Sequence, residues 1–315
     1  MKTKMLSILI PTYNRELFIS QAIDSVLEQD FEDYEIICCD NASTDRTYEI
    51  LQEYAKNDNR IKVFQNKENL GPVLNWKNCL EHASGEFVHW LWSDDWIEPN
   101  FYIDAFALMK KDNTRAVTTW NYRSDNPKDS NDKYISWRFS FPIVPGKVAS
   151  KKILLMSGEL PVSPAAYILP RELVLKNFYL NIPKVNNTLD PVSKGVGVDS
   201  LMIIGVCQTL ENLSVLQKPS VVFRKHENLS VLLSRDGSLG KMYLLAHLWF
   251  LLNNDVQLSL RDILRLFKRV LKTFRFSIFN IKVLKLVVRS SIKSFQNISE
   301  NGLQNSYDSD KVKFK

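Results

Sequence analysis

From residue 6 to about residue 120 the chain alternates short apolar runs with amphipathic stretches, and this alternation limits the possible folds more than any other feature. Apolar runs at 6–10, 35–39, 61–65 and 87–92 are the length of strands and too short for helices. Between them apolar residues recur at helical spacing, as in Leu17, Ile19, Ala22, Ile23, Val26 and Leu27, which predicts helices over 16–29, 46–56 and 73–83. A further helix is predicted at 101–110 and a strand at 116–120. Strands joined through helices by short connections form parallel pairs, so the expected fold is α/β, Rossmann-like, with a mostly parallel sheet flanked by helices. Regularity weakens over 121–135, which is polar and reads as a mobile loop able to cover a site. A helix over 146–156, a strand over 162–169 and a helix from Pro170 resume the pattern. A second flexible segment, 183–198, leads to a helix with Asp199 in its first turn, and a strand follows at 215–223.

In such a sheet ligands gather at the C-terminal ends of the strands. Thr12, Tyr13 and Asn14 follow the first strand, Asp40 and Asn41 the second, and Asp94 and Asp95 the fourth. Adjacent carboxylates repel and are costly to desolvate, so this pair needs a cation or a wet location. Oxygen-rich, sulfur-free ligands suit Mg²⁺ or Mn²⁺. The same pair also reads as a strand-to-turn junction with an Asp capping a helix ahead of Pro99. The glycine-rich loops of NAD enzymes and P-loop NTPases are absent. A nucleotidyltransferase would want a glycine-rich, lysine-bearing loop after the first strand, and Pro11-Thr12-Tyr13-Asn14 offers none.

Charge is unevenly placed. The chain carries +6 overall, yet residues 241–293 alone hold eleven Lys/Arg against two Asp, leaving the first 240 residues net negative. Basic residues confined to one end point to a membrane surface or polyanion touched by that end. Over 261–278, Ile263, Leu266, Phe267, Val270, Leu271, Phe274 and Ile278 recur at steps of three and four, with Arg261, Arg265, Lys268, Arg269 and Lys272 between them. This is a basic amphipathic helix, which either lies on an anionic membrane or packs on the domain with a solvated basic face. No nucleic-acid motif is present, so nucleic acid is not an expected partner. Cys38, Cys39, Cys79 and Cys207 lack metal-ligand spacing and read as reduced core residues of a cytoplasmic protein. No signal peptide and no run of spanning length is expected.

Four motifs carry a family resemblance: Ser7-Ile8-Leu9-Ile10-Pro11-Thr12-Tyr13-Asn14-Arg15, Asp40-Asn41-Ala42-Ser43-Thr44-Asp45, Asn69-Leu70-Gly71-Pro72 through Asn75, and Glu86 to Pro99 with Ser93-Asp94-Asp95. In this order the chain resembles a family 2 glycosyltransferase of the GT-A fold, closely over 5–110 and thinly to about 230. The resemblance implies inverting transfer of a sugar from a nucleotide-diphospho-sugar, a UDP- or dTDP-sugar, to an acceptor hydroxyl. Donor binding then falls to Pro11, Thr12, Tyr13, Asn14, Asp40, Asn41, Asn75, Asp94 and Arg224. Tyr13 matches the aromatic that stacks on the base, and Asp40 and Asn41 the contacts to base and ribose. Asp95 matches the ligand of the Mg²⁺ or Mn²⁺ cofactor and the diphosphate, and Asp94 matches ribose or metal. Trp92 stands where a further carboxylate is common, so the diphosphate must complete more of the metal shell. Arg224 resembles the clamp on the leaving diphosphate, and His226 a metal ligand or phosphate donor. Asp199 resembles the catalytic base, with Glu172 and Asp190 as alternatives, although Val198 replaces the acid usual before it. His82, His89 and His247 read as surface residues, and Trp90, Trp92 and Trp96 as core and rim.

The expected organisation is a GT-A domain over 1–235, its donor half at 1–110 and its acceptor half at 111–235. A basic helical extension follows over 236–295, then a disordered tail over 296–315. A glycan or lipid-linked acceptor, as in capsule or O-antigen assembly, fits a peripheral protein on the inner face of the membrane. The alternative is a catalytically silent GT-A protein serving as a membrane-associated scaffold.

Overall fold

The structure is a computed structural model that describes residues 4–124, 133–137, 141–226 and 229–274. The expected tail and the basic residues beyond 274 lie outside the described residues. The strands are β1 (Leu6–Thr12), β2 (Tyr34–Asp40), β3 (Ile61–Gln65), β4 (Phe87–Trp90), β5 (Trp96–Ile97), β6 (Val117–Ser124), β7 (Lys133–Trp137), β8 (Ile143–Pro145), β9 (Tyr167–Pro170) and β10 (Asn212–Arg224). They form one sheet in the order β3-β2-β1-β4-β9-β6-β10-β5, with β7 paired to β6 and β8 to β10.

The first four strands of that order are parallel, as the alternation predicts. Strand β9 then runs antiparallel to both β4 and β6, while β10 returns parallel to β6. The polar stretch expected as a loop over 121–135 instead begins and ends in strands, because β6 continues to Ser124 and β7 pairs back onto it.

Both faces of the central strands are apolar, so both must be covered. Leu6, Ile8, Ile10, Ile36 and Cys38 pack against the helices Ile19–Leu27 and Phe101–Asp112. Leu9, Ile37, Cys39, Val88 and Trp90 point the other way, into a core shared with Pro72–His82, Gly146–Leu154, Val198–Thr209, Ser238–Asn253 and Leu260–Phe274. The helix Val198–Thr209 is apolar nearly all round and buried on nearly every side, which is the condition for such a helix in water. The four cysteines are free and buried, as expected. Among the described residues no helix is long and apolar enough to cross a membrane.

Candidate active site

The loops that leave β1 and β2 are tied to each other before any ligand is considered. Asn14 takes φ 52° and Ala42 φ 60°, left-handed conformations that cost a residue with a Cβ about 1 kcal/mol or more. Hydrogen bonds hold both: Asn14 N to Ser43 Oγ at 2.9 Å, Thr44 N to Asn14 Oδ1 at 2.9 Å, and Ser43 N to Asp40 Oδ2 at 3.1 Å. Gln65 Nε2 also donates to Asp40 Oδ2 at 3.1 Å, whereas buried Asp40 Oδ1 has no hydrogen-bond partner among the described residues.

Asn41 and Asn75 work inward. Asn41 Oδ1 accepts from Asn66 Nδ2 and Leu70 N, both at 2.9 Å, and its Nδ2 donates to Asn69 Oδ1 at 2.8 Å. Asn75 Nδ2 donates to Cys39 O at 2.9 Å, and its Oδ1 accepts from Asn66 Nδ2 at 2.9 Å. Their amides are spent bracing the strand ends against the turn before the helix Pro72–His82. Pro11 and Thr12 likewise complete β1, and Thr12 O accepts Asn41 N at 2.9 Å. Tyr13, by contrast, is 40% exposed.

Beyond β4 the chain turns so that Asp94 and Asp95 meet residues from both ends of the domain. Strand β10 ends at Arg224, whose backbone N–H donates to Asp95 Oδ1 at 2.9 Å and whose Nε donates to Asp94 O at 2.8 Å. The Arg224 guanidinium lies between the rings of Phe18 and Trp96, 4.8 and 4.9 Å from their centroids, and also reaches Gln21. His226 Nε2 is 2.7 Å from Asp94 Oδ2, and Arg15 Nε is 3.7 Å from the same oxygen. Two carboxylates thus sit among two guanidiniums and an imidazole, a mixture of acidic and basic groups suited to a cation and the anion bound to it.

The two carboxyls are pushed apart. Burial and the neighbouring Asp94 charge raise Asp95 well above the usual carboxylate range. Burial also pushes Asp94 up, but the hydrogen bond from His226 and the charges of Arg15 and His226 outweigh it and hold Asp94 below that range. A buried carboxyl raised by a like neighbour is one that a divalent cation would relieve. Among the described residues no group of three or more His, Cys, Asp or Glu stands ready as a metal site. The pair still fits Mg²⁺ or Mn²⁺, since Mg²⁺ commonly takes one or two carboxylates and completes its shell with water and substrate phosphates.

Asp199 lies in the first turn of the helix Val198–Thr209. Gly195 and Gly197 precede it with φ 67° and 90°; a Cβ on Gly195 would meet the Trp76 ring, and one on Gly197 would meet Ala246. Trp76 in turn packs on Trp92, ring centroids 5.0 Å apart, two residues before Asp94. Asp199 is buried; its Oδ1 accepts Gly197 N at 2.9 Å and Ser200 N at 2.8 Å, and its Oδ2 accepts Tyr243 Oη at 2.8 Å. Burial pushes its carboxyl up to about 6 despite those three donors.

Of the two alternative bases, Glu172 lies at the wrong end of the sheet. Because β9 is antiparallel to β4, Pro170 pairs with Phe87 at the start of β4, and exposed Glu172 pairs with Arg115 at 3.1 Å. Asp190 caps a short helix through Ser193 N at 3.2 Å. His89 and His247, expected on the surface, are fully buried. His89 binds Tyr102 Oη at 3.0 Å and Ala165 O at 2.8 Å, and His247 Nε2 lies 2.9 Å from Ser200 Oγ. Sequence reasoning gave no role to Arg15, Phe18, Gln21 or Tyr243; the position of Arg15 at the end of the first motif was the one available signal.

Comparison with known proteins follows the same lines. Residues 7–158 match the profile described as Glycosyl transferase family 2. Over 91 residues the chain is 46% identical to GalNAc(5)-diNAcBac-PP-undecaprenol beta-1,3-glucosyltransferase of Campylobacter jejuni, covering 29% of either chain, so it spans under a third of that relative's length. Staphylococcus aureus TarS 1–349 in complex with UDP superposes with a TM-score of 0.63 at 23% identity, covering 88% of this chain and 73% of that one. The mannosyltransferase PcManGT from Pyrobaculum calidifontis, in complex with GDP-Man and Mn²⁺, gives 0.52 at 16% identity, covering 100% and 82%. At such identities the two solved structures speak to the fold alone. Residues 7–158, just under half of the chain, thus match glycosyltransferase family 2, and the described residues carry the GT-A fold.

Proposed function

We propose that the chain is an inverting glycosyltransferase that moves a sugar from a UDP- or dTDP-sugar to an acceptor hydroxyl in the assembly of a surface glycan. The observation that carries this reading is the gathering of Arg15, Asp94, Asp95, Arg224 and His226 at the C-terminal ends of the central strands. Residues 1–110 bind the donor and 111–235 face the acceptor. Tyr13 stacks on the base and Asp40 takes base or ribose, while Asn41, Asn75, Pro11, Thr12 and Asn14 hold those loops in position. Asp95, with Asp94 and His226, would hold Mg²⁺ or Mn²⁺. When bound, the metal supplies positive charge to the leaving diphosphate. The Mn²⁺ in the complex of PcManGT, a neighbour by fold, supports the cofactor class.

In the reaction Asp199 takes the acceptor's hydroxyl proton as its oxygen bonds to the anomeric carbon. The bond from that carbon to the diphosphate breaks, and the electron pair leaves with the phosphate oxygen. Arg15 and Arg224 hold the charge that develops there, as preorganised cations do most effectively in a site from which water is excluded. A lipid-linked acceptor is supported by the undecaprenol acceptor in the C. jejuni relative's name.

A thermal-shift screen against UDP, dTDP, GDP and CDP, each with Mn²⁺ and with EDTA, tests the reading. One nucleotide should stabilise the protein by linkage, by about 2.7 kcal/mol at a hundredfold excess over Kd, and EDTA or Asp95→Ala should abolish the shift. No shift with any of them would favour the silent scaffold.

A further inference from the structure

The helix Leu260–Phe274 carries more apolar surface than the domain uses. Ile263, Leu266 and Val270 are buried in the core beneath it, and Asp262, its only acidic residue, is buried and paired with Lys151 at 3.1 Å. With 3.6 residues per turn, Leu260, Leu264, Phe267 and Leu271 form a second apolar stripe about a quarter-turn round from that face. These four side chains are 55, 52, 47 and 44% exposed. About another quarter-turn on, Arg261, Arg265, Lys268 and Lys272 form a parallel stripe, all exposed. Arg269 turns inward and donates to Leu155 O at 3.1 Å, so the two outer stripes are cleanly separated.

A helix that only packs on its own domain needs one apolar stripe. Here a second one runs along the outer face beside a row of four cations with no carboxylate among them. We propose that this face docks on an anionic lipid bilayer, with Leu260, Leu264, Phe267 and Leu271 in the headgroup boundary and the four cations over the lipid phosphates. The charge row chooses this partner: it complements a negative membrane surface and would repel a second copy of itself. The contact does not rest on the glycosyl-transfer reading, because it uses none of the donor-site residues. It reaches the proposed base in two packing steps, since Leu260–Phe274 packs on the helix Ser238–Asn253, which brings Tyr243 to Asp199.

The test uses the full chain with vesicles of phosphatidylcholine alone or mixed with phosphatidylglycerol. Co-sedimentation should be roughly tenfold or more stronger with the mixed vesicles and should weaken with added salt. Joint replacement Leu264→Glu and Phe267→Glu should lower it by about tenfold or more while leaving the melting temperature unchanged. Equal binding to both vesicles, or binding unaffected by that pair, would overturn the proposal. Should the pair fail to fold, Phe267→Cys decides: the four native cysteines are buried, so an environment-sensitive thiol dye reports from this position alone. Its emission should rise when phosphatidylglycerol vesicles are added. Emission already high and unmoved by vesicles would mean that residues 275–315 or a second copy cover the stripe, and the proposal would fall.

Discussion

Asp199 is held as an acceptor by three donors and is still pushed up to about 6 by burial, which suits a base working near neutral pH. Asp199→Asn keeps those contacts, because an amide oxygen accepts from Gly197 and Ser200 while its NH₂ donates to Tyr243. Nucleotide binding should therefore stay near wild type while turnover falls by about 10² to 10⁴, the usual worth of a general base. Wild-type turnover in that variant would send the role to Asp190. Because the base must be ionised, wild-type kcat should decline as pH drops through about 6 and level off above it. A profile flat from pH about 7 to about 5 would remove Asp199 from the reaction. The family resemblance pointed to Asp94, Asp95, Arg224 and His226, and the structure brings these four together. It gave no sign of which asparagines face inward, since an Asn that braces a turn and one that reads a ribose look alike in a sequence. The burial of His89 and His247 was equally hidden, for a single histidine in an apolar run has no periodicity of its own.

Among the elements, the central strands were the most legible, because two apolar faces leave little choice. The third strand was expected at 61–65 and is found at Ile61–Gln65. The first helix starts at Ile19, not at 16, because Arg15 N donates to Thr47 Oγ1 at 2.7 Å and Glu16 N to Asp45 Oδ2 at 3.2 Å. Those residues join the two loops before the helix can begin. Strands β5, β7 and β8 escaped notice, since two to five residues carry too little pattern and pairing partners decide their fate. Strand direction was hidden too, and with it the end of the sheet at which Glu172 lies. Near the base of β4, Gly85 N donates to Ser7 Oγ at 2.8 Å, and a Cβ on Gly85 would lie 2.6 Å from Ser7 N and 2.8 Å from Leu6 C. Gly85→Ala must therefore shift β1, and should cost about 1–3 kcal/mol in urea unfolding. An unchanged midpoint would mean that β1 and β4 are less tightly paired than this.

For the molecule as a whole, two neutral histidines in the core set a term in its acid response. Burial lowers His89 to about 4, and burial with the Arg269 charge lowers His247 to about 3. In the unfolded chain both protonate near pH ~6.5, so their contribution is complete above that value and is lost as pH falls towards the folded values. Each loses about 1.4 kcal/mol per pH unit in that window. Asp199 acts in the opposite sense, because a carboxyl raised to about 6 binds its proton more readily in the folded state. The clean comparison is wild type against His89→Gln: the wild type should lose stability relative to the variant by about 1.4 kcal/mol per unit between pH ~6.5 and ~4. Parallel stability curves would show that His89 takes up its proton while folded. The contacts from Arg224 and His226 to Asp94 span 130 and 132 residues of chain. On a ribosome, Arg15 and the carboxylate pair are finished long before Arg224 and His226 exist, and the stretch matched to the family, 7–158, ends well short of those two. Nascent chains stalled before β10 has emerged would carry most of the family's signature but lack Arg224 and His226, so on the proposed reading the grip on the diphosphate is completed late in synthesis, with the C-terminal end of β10.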